Sequence, residues 1–101
     1  MENLTTFVTG KKAIAVAGVA EQLDGHRIAQ GHYLTIHADP TNTGNIYVGE
    51  SEAQAEAHNF TLTPDACIQI ATDNVSDVWV DVAVGEELVE WAYEMSNLDI
   101  P

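Results

Sequence analysis

The sequence predicts an all-β domain, an antiparallel β-sandwich or jelly-roll-like barrel of about six to eight short strands. Three observations carry that expectation. Apolar residues recur mostly with period two along the chain, the pattern of a strand with one face in the core. The runs are short, and turn-forming residues separate them at regular spacing. The segment from Val78 to Val84 shows the pattern most cleanly, with Val78, Val80, Val82 and Val84 on one side and Trp79, Asp81 and Ala83 on the other. At 101 residues the chain suits one core, so residues 1–101 are read as a single domain without internal repeat or low-complexity linker.

Taken in order, Gly10-Lys11-Lys12 reads as a turn and Ala13 to Val19 as a strand of small residues. Asp24-Gly25 is a tight-turn dipeptide. Tyr33 to Asp39 alternates, placing Leu34, Ile36 and Ala38 on one face and Tyr33, Thr35 and His37 on the other. Asp39 to Asn45 is a dense turn, because proline fixes φ while glycine and asparagine tolerate left-handed backbone. Asn45 to Gly49 is a short strand with Ile46 and Val48 facing together, and the polar, alanine-bearing stretch Glu50 to Asn59 reads as an exposed loop. Phe60 to Leu62 begins another strand, Thr63-Pro64-Asp65-Ala66 is a turn, and Cys67 to Thr72 alternates around Ile68 and Ile70. Glu86 to Met95 fits two patterns. Leu88, Trp91, Ala92 and Met95 have helical spacing with acids in the first turn, yet a valine strand followed by a glycine turn commonly forms a hairpin, and a strand is favoured.

Charge bounds the function. Lys11, Lys12 and Arg27 are the whole lysine and arginine inventory, and the formal net charge is -13. A surface of one sign repels itself at low ionic strength, where the Debye length is roughly 30 Å at 0.01 M, and is screened at molar salt, where it is roughly 3 Å. A salt-loving host is the simplest expectation, with a merely acidic mesophilic protein as the alternative, and ion pairs are expected to contribute nothing. Nucleic acid is disfavoured as a partner because phosphate binding relies on lysine and arginine, and an anionic membrane surface is disfavoured on the same grounds. No stretch approaches the ~18 apolar residues of a membrane span. The start, Met-Glu-Asn-Leu-Thr, lacks the basic region of a signal peptide, so synthesis in the cytoplasm is expected. Many apolar residues are small, which makes self-association a plausible source of added stability.

Few residues stand in a pattern that carries chemistry. His26, His32, His37 and His58 include no HxH or HxxxH pair, and the paired histidines and glutamate of a metal-dependent cupin are missing, so no metal, cofactor or catalytic residue is expected. Asp73, Asp77 and Asp81 lie four apart beside Asn74, but calcium-loop spacing is absent and a solvated acidic turn is the plainer reading. There is no GxSxG and no glycine-rich phosphate loop. Cys67 reads as a small buried hydrophobe. Asn3, Asn59 and Asn74 stand in acceptor sequons, which matter only in a glycosylating compartment. Trp79, Trp91 and Tyr93 are candidates for a subunit interface or a glycan-contacting platform, with a second buried layer of the sandwich as the alternative.

From Leu34 to Tyr93 the order of signals resembles a family of small structural proteins encoded in tailed-virus genomes. The resemblance rests on Leu-Thr-Ile-His-Ala-Asp-Pro-Thr-Asn-Thr-Gly-Asn-Ile-Tyr-Val-Gly (34–49) and Phe-Thr-Leu-Thr-Pro-Asp-Ala (60–66). It continues in Asp-Asn-Val-Ser-Asp-Val-Trp-Val-Asp-Val-Ala (73–83) and Gly-Glu-Glu-Leu-Val-Glu-Trp-Ala-Tyr (85–93). The chain departs from the pattern at Thr63-Pro64-Asp65-Ala66, where Pro-Gly-Glu is common, and in its acidic Glu94-Met95-Ser96 ending. The resemblance implies a β-sandwich virion protein and carries over no catalytic or metal residues. Joined to the charge, it implies a virus of a halophilic archaeon.

The expected role is therefore a non-enzymatic virion structural protein, a capsid decoration or turret subunit assembling as a trimer or pentamer on the particle. Its expected partners are its own copies and other virion proteins such as the major capsid protein, with host surface glycans as a further class. Residues 1–12 are a candidate anchoring segment through Lys11 and Lys12, for which an ordinary solvated turn is the alternative, and residues 95–101 a C-terminal tail. A tail or head–tail connector component, or a carbohydrate-binding surface module, is the alternative function.

Overall fold

In the computed structural model, residues 5–96 are described. Eight strands form two four-stranded antiparallel sheets. They are β1 (Thr5–Ile14), β2 (Glu21–Gln22), β3 (Leu34–Ala38), β4 (Ile46–Gly49), β5 (Thr61–Leu62), β6 (Cys67–Ile70), β7 (Trp79–Val82) and β8 (Glu87–Ser96). One sheet has the order β1-β8-β3-β6 and the other β2-β7-β4-β5. The two pack face to face, and neither closes into a barrel. A helix, α1 (Glu52–Glu56), follows β4, and a 3₁₀ turn over Val75–Asp77 precedes β7.

The core lies between the sheets and follows the alternation. Leu34, Ile36 and Ala38 of β3 point inward and are fully buried, as are Ile46 of β4 and Val80 of β7, with Val82 nearly so. Val89, Trp91, Tyr93 and Met95 of β8 complete the layer with Ile14, Leu23 and Leu62. Each fully buried aliphatic side chain contributes about 1.5–3 kcal/mol. Trp91 and Tyr93 thus belong to the core and are not an exposed aromatic face. Tyr93 turns its hydroxyl to the backbone amide of His26, which donates to it at 3.2 Å, and Trp79 is half-buried on the outer side of β7.

Several local expectations are corrected. Gly10-Lys11-Lys12 is no turn; it lies inside β1, which pairs residue by residue with β8 from Thr5↔Ser96 to Ile14↔Glu87. Both strands are ten residues long and not short. Gly10 is required because the Trp91 indole occupies its inner side, and a Cβ there would sit 2.2 Å from the ring. The chain turns instead at Val16–Gly18, where Val19 N–H donates to Val16 C=O. Asp24-Gly25 is an open loop passing against Val75, and that contact calls for glycine, since a Cβ there would lie 2.5 Å from the Val75 side chain. Val84 lies beyond the end of β7 and is exposed, and Cys67 is exposed on an outward position of β6.

Residues Glu86 to Met95 contain a strand, but β8 does not pair with β7. Glu86 adopts φ 69° and its N–H donates to Ile14 C=O, which carries the chain to the opposite sheet between β1 and β3. The Asp39 to Asn45 turn does more than reverse the chain. The Asn42 side chain donates to Leu88 C=O at 2.8 Å and accepts from Leu88 N–H at 2.9 Å, while Glu87 accepts from the N–H groups of Thr43 and Gly44. The turn at Thr63 to Ala66 is as expected, with Ala66 N–H donating to Thr63 C=O and Asp65 at φ 72°, the left-handed position after Pro64.

The stretch Glu50 to Asn59 is a loop only at its ends. Ser51 caps α1 by accepting from Gln54 N–H, and the Gln54 side chain accepts in turn from Glu50 N–H at 2.9 Å. Ala55 is fully buried against the outer face of the β2-β7-β4-β5 sheet. Gly49 permits that approach, since a Cβ there would lie 2.5 Å from the Ala55 nitrogen. Of the expected terminal segments, residues 1–4 and 97–101 lie outside the described residues, which takes in Asn3 and the end of the acidic tail.

Candidate functional site

The outer face of the β1-β8-β3-β6 sheet carries the most organised polar surface. Register places Lys11 of β1, Glu90 of β8 and His37 of β3 side by side. The three outward positions form one row because antiparallel partners share a face. Lys11 Nζ lies 3.3 Å from Glu90 Oε2 and 3.2 Å from Asp39 Oδ2, in the turn after β3. His37 Nδ1 meets Glu90 Oε1 at 2.6 Å, and its Nε2 meets Asp65 Oδ1 at 3.0 Å. Acid and base therefore alternate in the sequence Asp39, Lys11, Glu90, His37, Asp65.

The network shifts its members in consistent directions. The side-chain hydrogen bond to Asp39, then that to Glu90, raises the Lys11 pKa. Glu90 first and Asp65 second raise that of His37 against a smaller opposing effect of burial. Asp39 is held well below the usual carboxylate range, chiefly because Thr41 donates both its hydroxyl and its backbone N–H to Oδ1, with Lys11 adding to the effect. The candidate anchoring lysines are thus engaged within the molecule. Lys12 pairs with Glu21 at 3.2 Å, and Glu21 is itself lowered, first by the N–H of Ala15.

Beside this row the face is hollow. Thr9, Ala92 and Thr35 form the next row by register, and small side chains there leave a trough of about 550 Å³ lined by Thr9, Gly10, Lys11, Thr35, His37, Glu90, Trp91 and Ala92. Trp91 lines it from the core side of Gly10, so one of the three aromatic candidates does reach a surface concavity while remaining buried.

A second polar cluster sits on the other sheet. Asp81 is fully buried at an outward position of β7, beneath α1 and the loop before β2. Its carboxyl group accepts from Gly18 N–H and Val82 N–H, both at 2.8 Å, and meets His58 Nε2 at 2.7 Å. The His58 ring stacks on Tyr47, centroids 3.7 Å apart, and Glu56 accepts from Ala20 N–H to tie α1 to the same loop. This cluster fastens the covering layer.

Asp73, Asp77 and Asp81 are not brought together. Asp77 accepts from the Thr72 hydroxyl while Asp81 faces His58, and no group of three metal-ligating side chains occurs among the described residues. Three of the four histidines pair with carboxyl groups, His32 with Glu94, His37 with Glu90 and Asp65, and His58 with Asp81. Ion pairing, expected to be absent, occurs at Lys11 and Lys12, and imidazole–carboxyl hydrogen bonds extend it. The sequence concealed this because no fixed spacing relates Lys11, His37 and Glu90; only the order of strands in the sheet joins them. Compared with known proteins, the chain matches no family model and no curated protein.

Proposed function

We propose that the chain is a non-enzymatic virion structural protein, a capsid decoration or turret subunit built on a jelly roll. The carrying observation is strand order. β1 pairs with β8, β2 with β7, β3 with β6 and β4 with β5, the pairing of one long hairpin rolled into two sheets. That is jelly-roll order, an architecture shared by viral capsid domains, lectins and cupins. The inward positions weigh against a cupin-like enzyme, since they are filled by Leu34, Ile36, Ile46, Val80 and Val89, side chains without ligand atoms. The residue resemblance supports the virion reading, and the net charge of -13 supports a saline setting.

Assembly as a small symmetric ring fits the edges. Among the described residues β1 is a ten-residue edge strand carrying Phe7, which is 68% exposed. Long edges of this kind are templates for pairing with another chain, and a closed ring would cover them. The test is molar mass by light scattering in about 2–3 M salt and in dilute buffer, a contrast set by charge screening. A discrete trimer or pentamer at high salt, lost on dilution, is expected; a folded monomer in both overturns the preformed ring. Absence of the chain from density-purified particles of a producing culture overturns the virion role itself.

A further inference from the structure

The trough on the β1-β8-β3 face has features of a binding site that the assembly role does not use. Its floor is Ala92, and its sides are the hydroxyl-bearing Thr9 and Thr35. One end is the charged row of Lys11, Glu90 and His37. Beyond Ala92 along β8, Phe7 stands across from Glu94 and is exposed, and Tyr33, the residue before β3, is 55% exposed. The volume of about 550 Å³ lies within the roughly 300–1,000 Å³ of small-molecule sites.

We propose that this trough binds a neutral carbohydrate of about disaccharide size. Charge selects the class. Lys11 is held by Asp39 and Glu90, and His37 by Glu90 and Asp65, so an ionic ligand would have to break existing pairs. At low ionic strength a net charge of -13 further repels anionic sugars. Hydrogen-bonding capacity remains for hydroxyl groups. An ammonium has three N–H donors, and two of those on Lys11 are engaged; each Glu90 oxygen has two lone pairs, and Lys11 and His37 take one on each. The Thr9 and Thr35 hydroxyls both donate and accept. A sugar ring also needs an apolar surface for its C–H face, which Ala92 supplies, with Phe7 and Tyr33 available to further units. Mutual pairing holds the charged row in place before a ligand arrives, which reduces the ordering cost of binding.

The proposal does not rest on the virion reading, because the isolated chain is sufficient to test it. The probes are maltose, cellobiose, lactose and chitobiose, with a sulfated disaccharide as the charged comparison, titrated by calorimetry and by tryptophan fluorescence, since Trp91 lines the trough. At least one neutral disaccharide is expected to bind with a millimolar or lower Kd and the sulfated one at least tenfold more weakly. Ala92→Phe fills the floor and is expected to weaken binding at least tenfold. The near-isosteric pair Thr9→Val and Thr35→Val, which removes hydroxyls while retaining strand-favouring side chains, is expected to weaken it several-fold. Unchanged circular dichroism certifies the fold of each variant. No binding of any neutral probe at about 20 mM, far above the affinities expected of such a site, overturns the proposal. So does wild-type affinity in both variants, or equal affinity for the sulfated sugar.

Discussion

The two sheets carry acidic residues at outward positions and treat them in opposite ways. Glu90, in the middle of β8, stays at the surface between Lys11 and His37. Asp81, in β7, is fully buried because α1 and the Val16–Ala20 loop close over it. The first face is wet, hollow and paired by long side chains; the second is dry and pinned by backbone N–H groups. A carboxyl group at the surface can lose a partner and be solvated, whereas a buried one cannot. The difference assigns Asp81 to holding the fold together and leaves the Glu90 face available for contact.

Deleting each acid separates these roles. Asp81→Ala leaves Gly18 N–H, Val82 N–H and His58 without their partner, and is expected to cost about 3–5 kcal/mol. Glu90→Ala is expected to cost under about 1 kcal/mol, as exposed ion pairs do. Chemical denaturation of both variants at low and molar salt checks this. The Glu90 effect should shrink with salt and the Asp81 effect should persist, because screening reaches only the exposed pair. Equal costs would remove the contrast between the faces.

A smaller effect tests what closes the dry face. Gly49→Ala places a methyl group 2.5 Å from the Ala55 nitrogen, so α1 must shift outward. Overpacking of this kind typically costs about 1–3 kcal/mol. Hydrogen exchange should show the loss concentrated in α1 and the Val16–Ala20 loop, with β3 and β8 protected as before. Uniform loss across both sheets would mean that the helix is part of the main folding unit instead of a cover.

The same contrast explains what could be read from the sequence. Period two located β3, β4 and β7, because Leu34/Ile36/Ala38, Ile46/Val48 and Val80/Val82 alternate with polar or aromatic residues. It could not say whether the outward face of a strand meets water, so Asp81 and Glu90 looked alike. Gly10 looked like a turn because its reason is the Trp91 ring, which arrives from a strand 81 positions away. Whether Trp91 and Tyr93 face outward or form a second buried layer stays open in the sequence, which does not reveal that β8 joins the sheet opposite β7. The cap of α1 was legible: Ser51 followed by Gln54 and the small Ala55 is a helix start with an apolar contact. The shortness of α1 kept that signal beneath the polar composition around it.

The smallest expected effect concerns His37 and separates the faces by pH. Its pKa is raised by Glu90 and Asp65, so the imidazolium is worth more to the folded state than to the unfolded chain. That contribution is fully present below the ordinary histidine value of about 6.5 and is lost as pH rises through the higher folded value. Asp65 is largely exposed, and solvent limits the contribution to within about 1 kcal/mol. His37→Gln is therefore expected to be less stable than the parent in mildly acidic buffer and nearly equal to it in alkaline buffer, with Lys11 still holding Glu90 at both ends of the range. Paired melting curves across that range, at low salt where the exposed network is least screened, measure the convergence. A gap that stays constant with pH would mean that His37 acts through packing beside Thr35 and Glu90, with its charge contributing nothing to the row.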